Sequence, residues 1–573
     1  MMRAVEVRRR TPQGKILEDE TLPAILRHIY ACRGIQDRDE LGLGAQQLVH
    51  FKQLTDCEKA AARIGQAILN RECICICGDF DADGATSVTL LMDALAQCGA
   101  QRLFYLVPNR FTDGYGLSPG LVELAAHDGA NLIITVDNGI SSHAGIQRAN
   151  ELGVEVIVTD HHLPSAELPN AHSIVNPNRR DCPFPSKQLA GVGVAFYVLL
   201  ALRAWFRAHE ASHPAASINV AQWLDLVAVG TVADVVPLDQ NNRILVQQGL
   251  ARIRQRQCRP GILALLEVAG REPEALQAQD LGFTVGPRIN AAGRLDDIQL
   301  GIECLRAKTL EQAKMMALRL DELNRERRSI EHGMQQDAER FLASFQVEQD
   351  TLPPVLAVHQ ADWHQGVIGI LAGRLKEQLH RPVMVFAQGD AGLLKGSCRS
   401  VPGVHIRDLL EQVSSRAPEC IERFGGHAMA AGLSVPQTQW GRFCEVLQDV
   451  AMTWVSPDVL HQVIWTDGAL EGKYLNVDTA KILQNAGPFG QGFPAPTFDG
   501  HFRVLDARWL KETHLKFRLQ PVGTSEVIDG IAFFANRAPW EWREQTEVHI
   551  VYRLEVNEFR GQQSAQLLIE SLR

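Results

Sequence analysis

Three aspartates, Asp79, Asp81 and Asp83, alternate within "GDFDADG", directly after the apolar run "CICIC" (73–77). Asp137 follows in "VDNG", then Asp160, His161 and His162 in "TDHH", and Asp234 in "GTVADVV". These are hard oxygen ligands with one or two imidazoles. Converging carboxylates repel strongly in a low dielectric unless cations sit between them. Divalent ions would relieve that repulsion. Mixed oxygen and nitrogen ligation suits Mn2+ better than Mg2+, which prefers all-oxygen octahedra, and both fit the pattern. Two such ions sharing a bridging carboxylate are a known device for in-line displacement at phosphorus. Taken singly, a D-x-D is usually a solvated turn. Three acidic pieces ending strands of one sheet would not align by accident.

That alignment depends on the elements. Four β-rich runs, "CICICGD" (73–79), "RLFYLVPN" (102–109), "NLIITVDNG" (131–139) and "VEVIVTDHH" (154–162), alternate with helix-like stretches such as "ATSVTLLMDALAQCG". Strands alternating with helices predict a mostly parallel sheet covered on both faces. Ligands bind beyond the C-terminal ends of such strands. Three of the four runs end in carboxylate or imidazole.

Residues 190–300 read as mainly helical, with polar breaks at "GTVADVVPLD" and "GPRINAAGR". "TLEQ" (309–312) is a capping box, Thr309 with Gln312. The helix it opens keeps apolar spacing through Leu320, Leu323, Ile330, Met334 and Phe341, and would link two lobes. "QVEQDTLPP" (346–354) marks a boundary. A second α/β unit follows to about 453, with strands "VLAVHQ" and "PVMVFAQ" around helix "GVIGILAGRLKEQL". From about 456 short alternating strands predict a small barrel of the OB type. The division is an N-terminal segment 1–50, a catalytic α/β domain 51–305, a connecting helix 306–345, a smaller α/β domain 346–453 and a barrel domain 454–573.

Composition sets bounds. The chain has 573 residues, 46% hydrophobic and 22% charged, which argues against long disorder. The basic start "MMRAVEVRRR" lacks a following apolar core of the signal-peptide kind. The longest uncharged apolar stretch, "GVGVAFYVLLAL" (191–202), is short of the ~18 residues a bilayer span needs. A soluble cytoplasmic protein with no membrane association is expected. The twelve cysteines include no C-x-x-C pair and suit a reducing compartment. The net charge of −10 does not advertise a nucleic-acid binder, but bound divalent ions would cancel several of those charges.

"GDFDADG", "VDNG", "TDHH" and "GTVADVVPL", in this order, resemble the DHH phosphoesterase superfamily. "GPRINAAGR" (286–294), "WHQGVIGILAGRL" (363–375) and "FGGHAMAAG" (424–432) resemble the further signatures of its bacterial single-strand-specific exonuclease branch. The likeness runs from about residue 50 to the C-terminus. It implies an α/β fold in which a parallel-sheet DHH domain is joined by a long helix to a smaller DHHA1 domain, followed by an OB-like barrel. It also implies roles. Asp79, Asp81 and Asp137 would hold one ion, Mn2+ or Mg2+. Asp83, Asp137, His161 and Asp234 would hold the second, with Asp137 bridging. His162 would face the scissile phosphate, and Asp160 would orient His161.

For the substrate, "GGHAMAAG" offers the backbone N–H groups of Gly425 and Gly426, with His427 at the start of a helix. Arg110, Lys395, Ser397 and Arg399 would hold a 5′-phosphate or nearby backbone, and Arg288 and Arg294 would line a channel. In the barrel, Lys511, Lys516 and Arg518 lie near Trp509 and Phe517, a pattern suited to single strands. The implied activity is 5′ to 3′ exonuclease action on single-stranded DNA, releasing 5′-mononucleotides in recombination and repair. The chain would act as a monomer, with a helicase and a single-strand-binding protein as partners. The alternative is a phosphodiesterase acting on short oligonucleotides or cyclic dinucleotides. "GPFGQGFPAPTF" (487–498) leads into the barrel and has no chemistry of its own in this reading.

Overall fold

The computed structural model describes residues 6–108, 116–344, 352–535 and 546–573. Its first strand is β1 (Glu6–Arg9). The next five, β2 (Cys73–Cys77), β3 (Arg102–Leu106), β4 (Leu132–Val136), β5 (Glu155–Thr159) and β6 (Ser173–Val175), form one sheet in the order β3-β2-β4-β5-β6. Every pairing in it is parallel. Helices cover both faces, so β2 and β4 are buried along their whole length, and that is why both read as unbroken apolar runs. β2, β4 and β5 are consecutive in the sheet. Their C-terminal ends therefore deliver Asp79–Asp83, Asp137 and Asp160–His162 to one edge.

Three helices close over that edge: Ala82–Gln97, Gly191–His209 and Leu224–Ala233. Gly191–His209 is long and apolar enough to cross a bilayer by the length and composition of the whole helix, but most of it is buried in this core. It runs beyond the apolar stretch visible in the sequence because Phe206 is fully buried and Trp205 packs on Gly65. The two expected polar breaks are largely helical. "GTVA" completes helix Leu224–Ala233, and "GPRINAAGR" lies within helix Gly286–Leu295, entered through a π-turn at Leu281–Val285. Glycine here serves packing: a Cβ on Gly293 would collide with the Phe80 carbonyl oxygen.

The long helix spans Leu310–Ser344, and Thr309 Oγ1 accepts from the Gln312 N–H at 3.3 Å, as its capping motif predicts. Glu331 on this helix ties the two lobes, accepting from Arg327 at 3.1 Å and from Arg374 at 2.9 Å. Most of the expected boundary at 346–354 lies outside the described residues.

The second lobe contains β7 (Leu356–His359), β8 (Val383–Gln388), β9 (Leu393–Arg399), β10 (Arg423–Gly426) and β11 (Ala430–Pro436), in the order β10-β11-β9-β8-β7. Only β7 and β8 pair in parallel. "FGGHAMAAG" is thus the β10–β11 hairpin and not a helix start. Gly426, at φ 144°, and the 2.8 Å bond from His427 N to Ala430 O close its turn.

β12 (Val463–Thr466) pairs in parallel with β1. β13 (Phe498–Leu510), β14 (His514–Pro521), β15 (Ile528–Ala532), β16 (Glu547–Phe559) and β17 (Gln562–Leu572) close into a barrel in the order β13-β14-β15-β17-β16. Leu515, Phe517 and Leu519 fill its interior, as their alternation requires.

Candidate metal centre

Asp81 is the N-cap of helix Ala82–Gln97. Its Oδ1 accepts from the N–H groups of Asp83 (2.9 Å) and Gly84 (3.0 Å), which fixes the carboxylate at the helix entrance. Gly84 is required there, because a Cβ would lie 2.7 Å from Asp79 O. Asp83 sits in the first turn, buried. Its two oxygens accept from Gly191 N (2.6 Å) and Val192 N (2.9 Å), the first amides of helix Gly191–His209. Two helix N-termini thus favour its negative charge. Asp137 ends β4 in the left-handed region (φ 62°), and its N–H bonds Thr159 O at 3.0 Å. Gly191 leaves room for it: a Cβ would lie 2.5 Å from Asp137 Cβ. Asp234 is the C-cap of helix Leu224–Ala233.

The side chains gather as the metal pattern requires. Ligand atoms of Asp79, Asp81 and Asp137 lie within 4.8 Å of one another, and so do those of Asp83, His161 and Asp234. A third, overlapping set joins Asp137, His161 and His162. His161 Nε2 stands 3.1 Å from Asp137 Oδ1 and 3.5 Å from Asp234 Oδ2, is buried, and makes no hydrogen bond. An imidazole nitrogen held between carboxylate oxygens without bonding either fits ligation of a common cation. Burial, reinforced by the neighbouring carboxylates, raises Asp137 and Asp234 well above the usual carboxylate range and Asp83 to about 7. Burial lowers His161 to about 4, which leaves the neutral, metal-binding imidazole at pH 7. Cations would offset the carboxylate repulsion and keep these groups deprotonated. The donor set therefore fits two divalent ions.

Asp160 orients His162 rather than His161, contrary to the sequence expectation. Its Oδ1 pairs with His162 Nδ1 at 2.7 Å and accepts the backbone N–H groups of His161 (2.7 Å) and His162 (3.1 Å), while Oδ2 accepts Ile140 N–H at 2.9 Å. The strand turn places the second histidine ring, not the first, back over the carboxylate. Burial opposes charge on both partners, but their bond and mutual attraction prevail: Asp160 falls to about 2 and His162 rises to about 9. Asn178 and Asn176 hold the same loop by donating to the carbonyls of His161 (2.6 Å) and His162 (2.9 Å).

The expected substrate residues divide. The His427 ring, on the β10–β11 turn, faces His162 across the lobes at 6.1 Å between centroids and 24° between planes. Lys395, Ser397 and Arg399 share the partly exposed face of β9. Arg399 donates to Ser397 Oγ at 3.2 Å, and both lie beside Gly369 near the start of helix Ile368–Leu379. Gly425 is exposed on the hairpin. Arg294 donates to Gly366 O at 3.3 Å, joining the lobes. Arg288 does not line an open channel. It is buried against Asp321 at 2.8 Å and bonds Thr284 O at 2.7 Å, because it faces the long helix. Lys516 pairs with Asp529 at 2.8 Å on the barrel wall, and Phe517 is in the barrel core, whereas Trp509 is exposed. Arg110 lies outside the described residues.

Sequence reasoning missed the second-layer groups: Gly191 and Val192, which read only as apolar helix, Asn176 and Asn178 in "NPN", and Asn290, whose Oδ1 accepts Ala82 N–H at 2.8 Å. The asparagines were the available signal, being polar residues inside otherwise apolar or proline-flanked stretches.

Known proteins share these domains and this fold. The DHH family N-terminal domain matches residues 73–231, the DHHA1 domain residues 352–453 and the RecJ OB domain residues 466–571. The single-stranded-DNA-specific exonuclease RecJ of Dickeya dadantii is 50% identical over the whole of both chains. Crystal structures of RecJ from Thermus thermophilus superpose on the fold. The one in complex with Mn2+ has a TM-score of 0.82 at 27% identity, covering 100% of this chain and 80% of that one. The one in complex with Mg2+ has a TM-score of 0.74 at 26% identity, covering 98% and 76%. The DHH and DHHA1 lobes and the terminal barrel are thus those of a shared lineage, and the chain belongs to the RecJ family of single-stranded-DNA-specific exonucleases.

Proposed function

We propose that the chain is a 5′ to 3′ exonuclease on single-stranded DNA that releases 5′-mononucleotides by two-metal phosphodiester hydrolysis. The observation that carries this reading is the convergence of Asp79, Asp81 and Asp137 with Asp83, His161 and Asp234 on one sheet edge. When bound, two Mn2+ or Mg2+ ions would supply charge stabilisation at the phosphate oxygens and a water acidic enough to attack. The protein's own part is orientation. Asp160 fixes the His162 ring through Nδ1, and this oriented ring is the group proposed to donate to a phosphate oxygen. The ring stays cationic near neutral pH. His427 faces that ring from the other lobe, so a strand entering between the lobes meets both.

Polarity follows from anchoring the 5′ end at a fixed distance from the metals. Ser397 and Arg399, beside Gly369, are the groups proposed to hold the 5′-phosphate, with Gly425, Gly426 and Arg294 near the strand and Arg110 added by family likeness. Exposed Trp509 with Lys511 and Arg518 on the barrel would engage the strand further along. Lys516, paired with Asp529 at 2.8 Å, is the further candidate for the strand on that wall. A monomer acting in the cytoplasm in recombination and repair, with a helicase and a single-strand-binding protein opening and presenting the strand, completes the reading. A turnover series from dinucleotide to 50-mer, each 5′-phosphorylated, tests it. Turnover per end that holds or rises with length supports it, and turnover falling with length refutes it.

A further inference from the structure

Among the described residues no hydrogen bond joins "GPFGQGFPAPTF" to the substrate groups or the metal ligands, yet its tip lies against the loop that follows Asp234. Gly490 and Phe493 close a tight turn, with Gly490 N bonding Phe493 O at 2.9 Å and Phe493 N bonding Gly490 O at 3.2 Å. Within it the Gln491 carbonyl accepts Leu238 N–H at 2.7 Å. Both glycines are needed for this approach. A Cβ on Gly490 would lie 2.8 Å from Leu238 Cδ1, and one on Gly492, at φ 70°, would lie 3.0 Å from Pro237 Cβ.

The turn is itself held rigidly. Phe493 is buried, stacks on Phe489 at 5.6 Å and carries the Arg243 guanidinium over its ring at 4.3 Å. Arg33, from the N-terminal segment, donates to Pro494 O at 2.8 Å and pairs with buried Asp467 at 3.0 Å.

What the turn grips leads back to the metal ligands. Leu238 is four residues beyond Asp234, and the chain between them passes through Val235, a β-branched residue at φ 61° that a loose loop would not keep. Fully buried Asn242 donates to Pro237 O at 3.0 Å and to Gln188 O at 2.6 Å. Ser186 donates to Asp239 Oδ2 at 2.7 Å. Beyond Gln188 the chain supplies the Leu189 backbone bond to His161 and the Gly191 and Val192 amides to Asp83. All three members of one ligand set, Asp83, His161 and Asp234, are therefore supported from this hub. The set of Asp79, Asp81 and Asp137 stands one step further from it, reached through Gly191 beside Asp137 and through the bond from Asp83 N–H to Asp81.

We infer that the Gly490–Phe493 turn is a positioning element for the Asp83, His161 and Asp234 set, so that docking of the barrel segment governs the affinity of one metal site of the two. The inference rests on the two-metal reading above. Its test is Mn2+ binding to the full metal-free chain, monitored by titration calorimetry and by electron paramagnetic resonance of free Mn2+, with no DNA present. The parent is expected to bind two ions. Gly490→Val is expected to weaken one of them about tenfold or more and to leave the other within about twofold, the range typical of losing a supporting contact. Leu238→Ala, which removes the side chain packed against Gly490 but keeps the backbone bond to Gln491, should act in the same direction and stands in if Gly490→Val does not fold. Pairing Gly490→Val with Leu238→Ala should recover part of the loss, since the clashing atom is gone. Equal weakening of both sites, or no change in either, overturns the inference while leaving the two-metal reading intact. A parent that binds no Mn2+ overturns both.

Discussion

Gly191→Ala is the most demanding substitution for this account. Gly191 occupies the first turn of an α-helix, where alanine is intrinsically favoured by up to about 1 kcal/mol. Its backbone is not left-handed, so no conformational strain is expected. The steric problem decides the sign. The added methyl would lie 2.5 Å from Asp137 Cβ and 2.7 Å from its Oδ1. Ordinary carbon contacts need about 3.5 Å, so one side must give by roughly 1 Å. Neither side is free to do so: Gly191 N is bonded to Asp83 at 2.6 Å, and Asp137 is fixed by its bond to Thr159. Overpacking of this kind costs about 1–3 kcal/mol, which outweighs the helix preference. A shift of about 1 Å in the carboxylate proposed to bridge both metals should lower kcat about 100-fold, equivalent to about 2.7 kcal/mol of barrier. The lobe proposed to hold the 5′-phosphate is untouched, so KM should change less than threefold. Steady-state hydrolysis of a 5′-phosphorylated single strand in Mn2+, with thermal melting as a fold control, measures this. A folded Gly191→Ala protein with parental kcat would refute the argument that Asp137 is positioned by that helix start.

Further outcomes follow from the same geometry. Asp160→Asn should lower kcat about tenfold or more with little change in Mn2+ affinity, because it releases the His162 ring and not His161; an equal loss of Mn2+ affinity in calorimetry would restore the opposite assignment. Arg288→Ala should destabilise the protein by about 3 kcal/mol in denaturant titration, with KM for DNA nearly unchanged, since it breaks a buried pair with Asp321. A large KM effect in a stable protein would return Arg288 to the substrate channel. Mn2+ at about one hundred times its dissociation constant should raise stability by about 2.7 kcal/mol per site over the metal-free protein, measurable as a rise in melting temperature. An unchanged melting temperature would count against preformed sites.

Much of the fold was legible because its signals are local and strong. β2 to β5 are apolar runs that end in polar residues, and helical stretches separate them. β6, three residues long, and β13, interrupted by polar residues, gave no such signal. The glycines of "FGGHAMAAG" suggest a helix-opening loop, whereas antiparallel pairing of β10 with β11 makes it a hairpin whose second strand also pairs with β9. At the site, the ligand types and their order were visible in the sequence. The direction of each ring was not. Which histidine meets Asp160 depends on the turn after β5, and Arg288 depends on where the long helix passes. Both are tertiary facts that spacing cannot supply.

The central claim is that the aspartate and histidine cluster is a two-metal centre that cuts single strands from the 5′ end. Its most direct test is the product ladder from a 3′-labelled, 5′-phosphorylated single strand in Mn2+, for the parent, Asp81→Ala and His161→Ala. The parent should shorten the strand from the 5′ end with mononucleotide release, and both folded variants should lose cleavage. Undiminished cleavage by either variant, or products lost from the 3′ end, would contradict it.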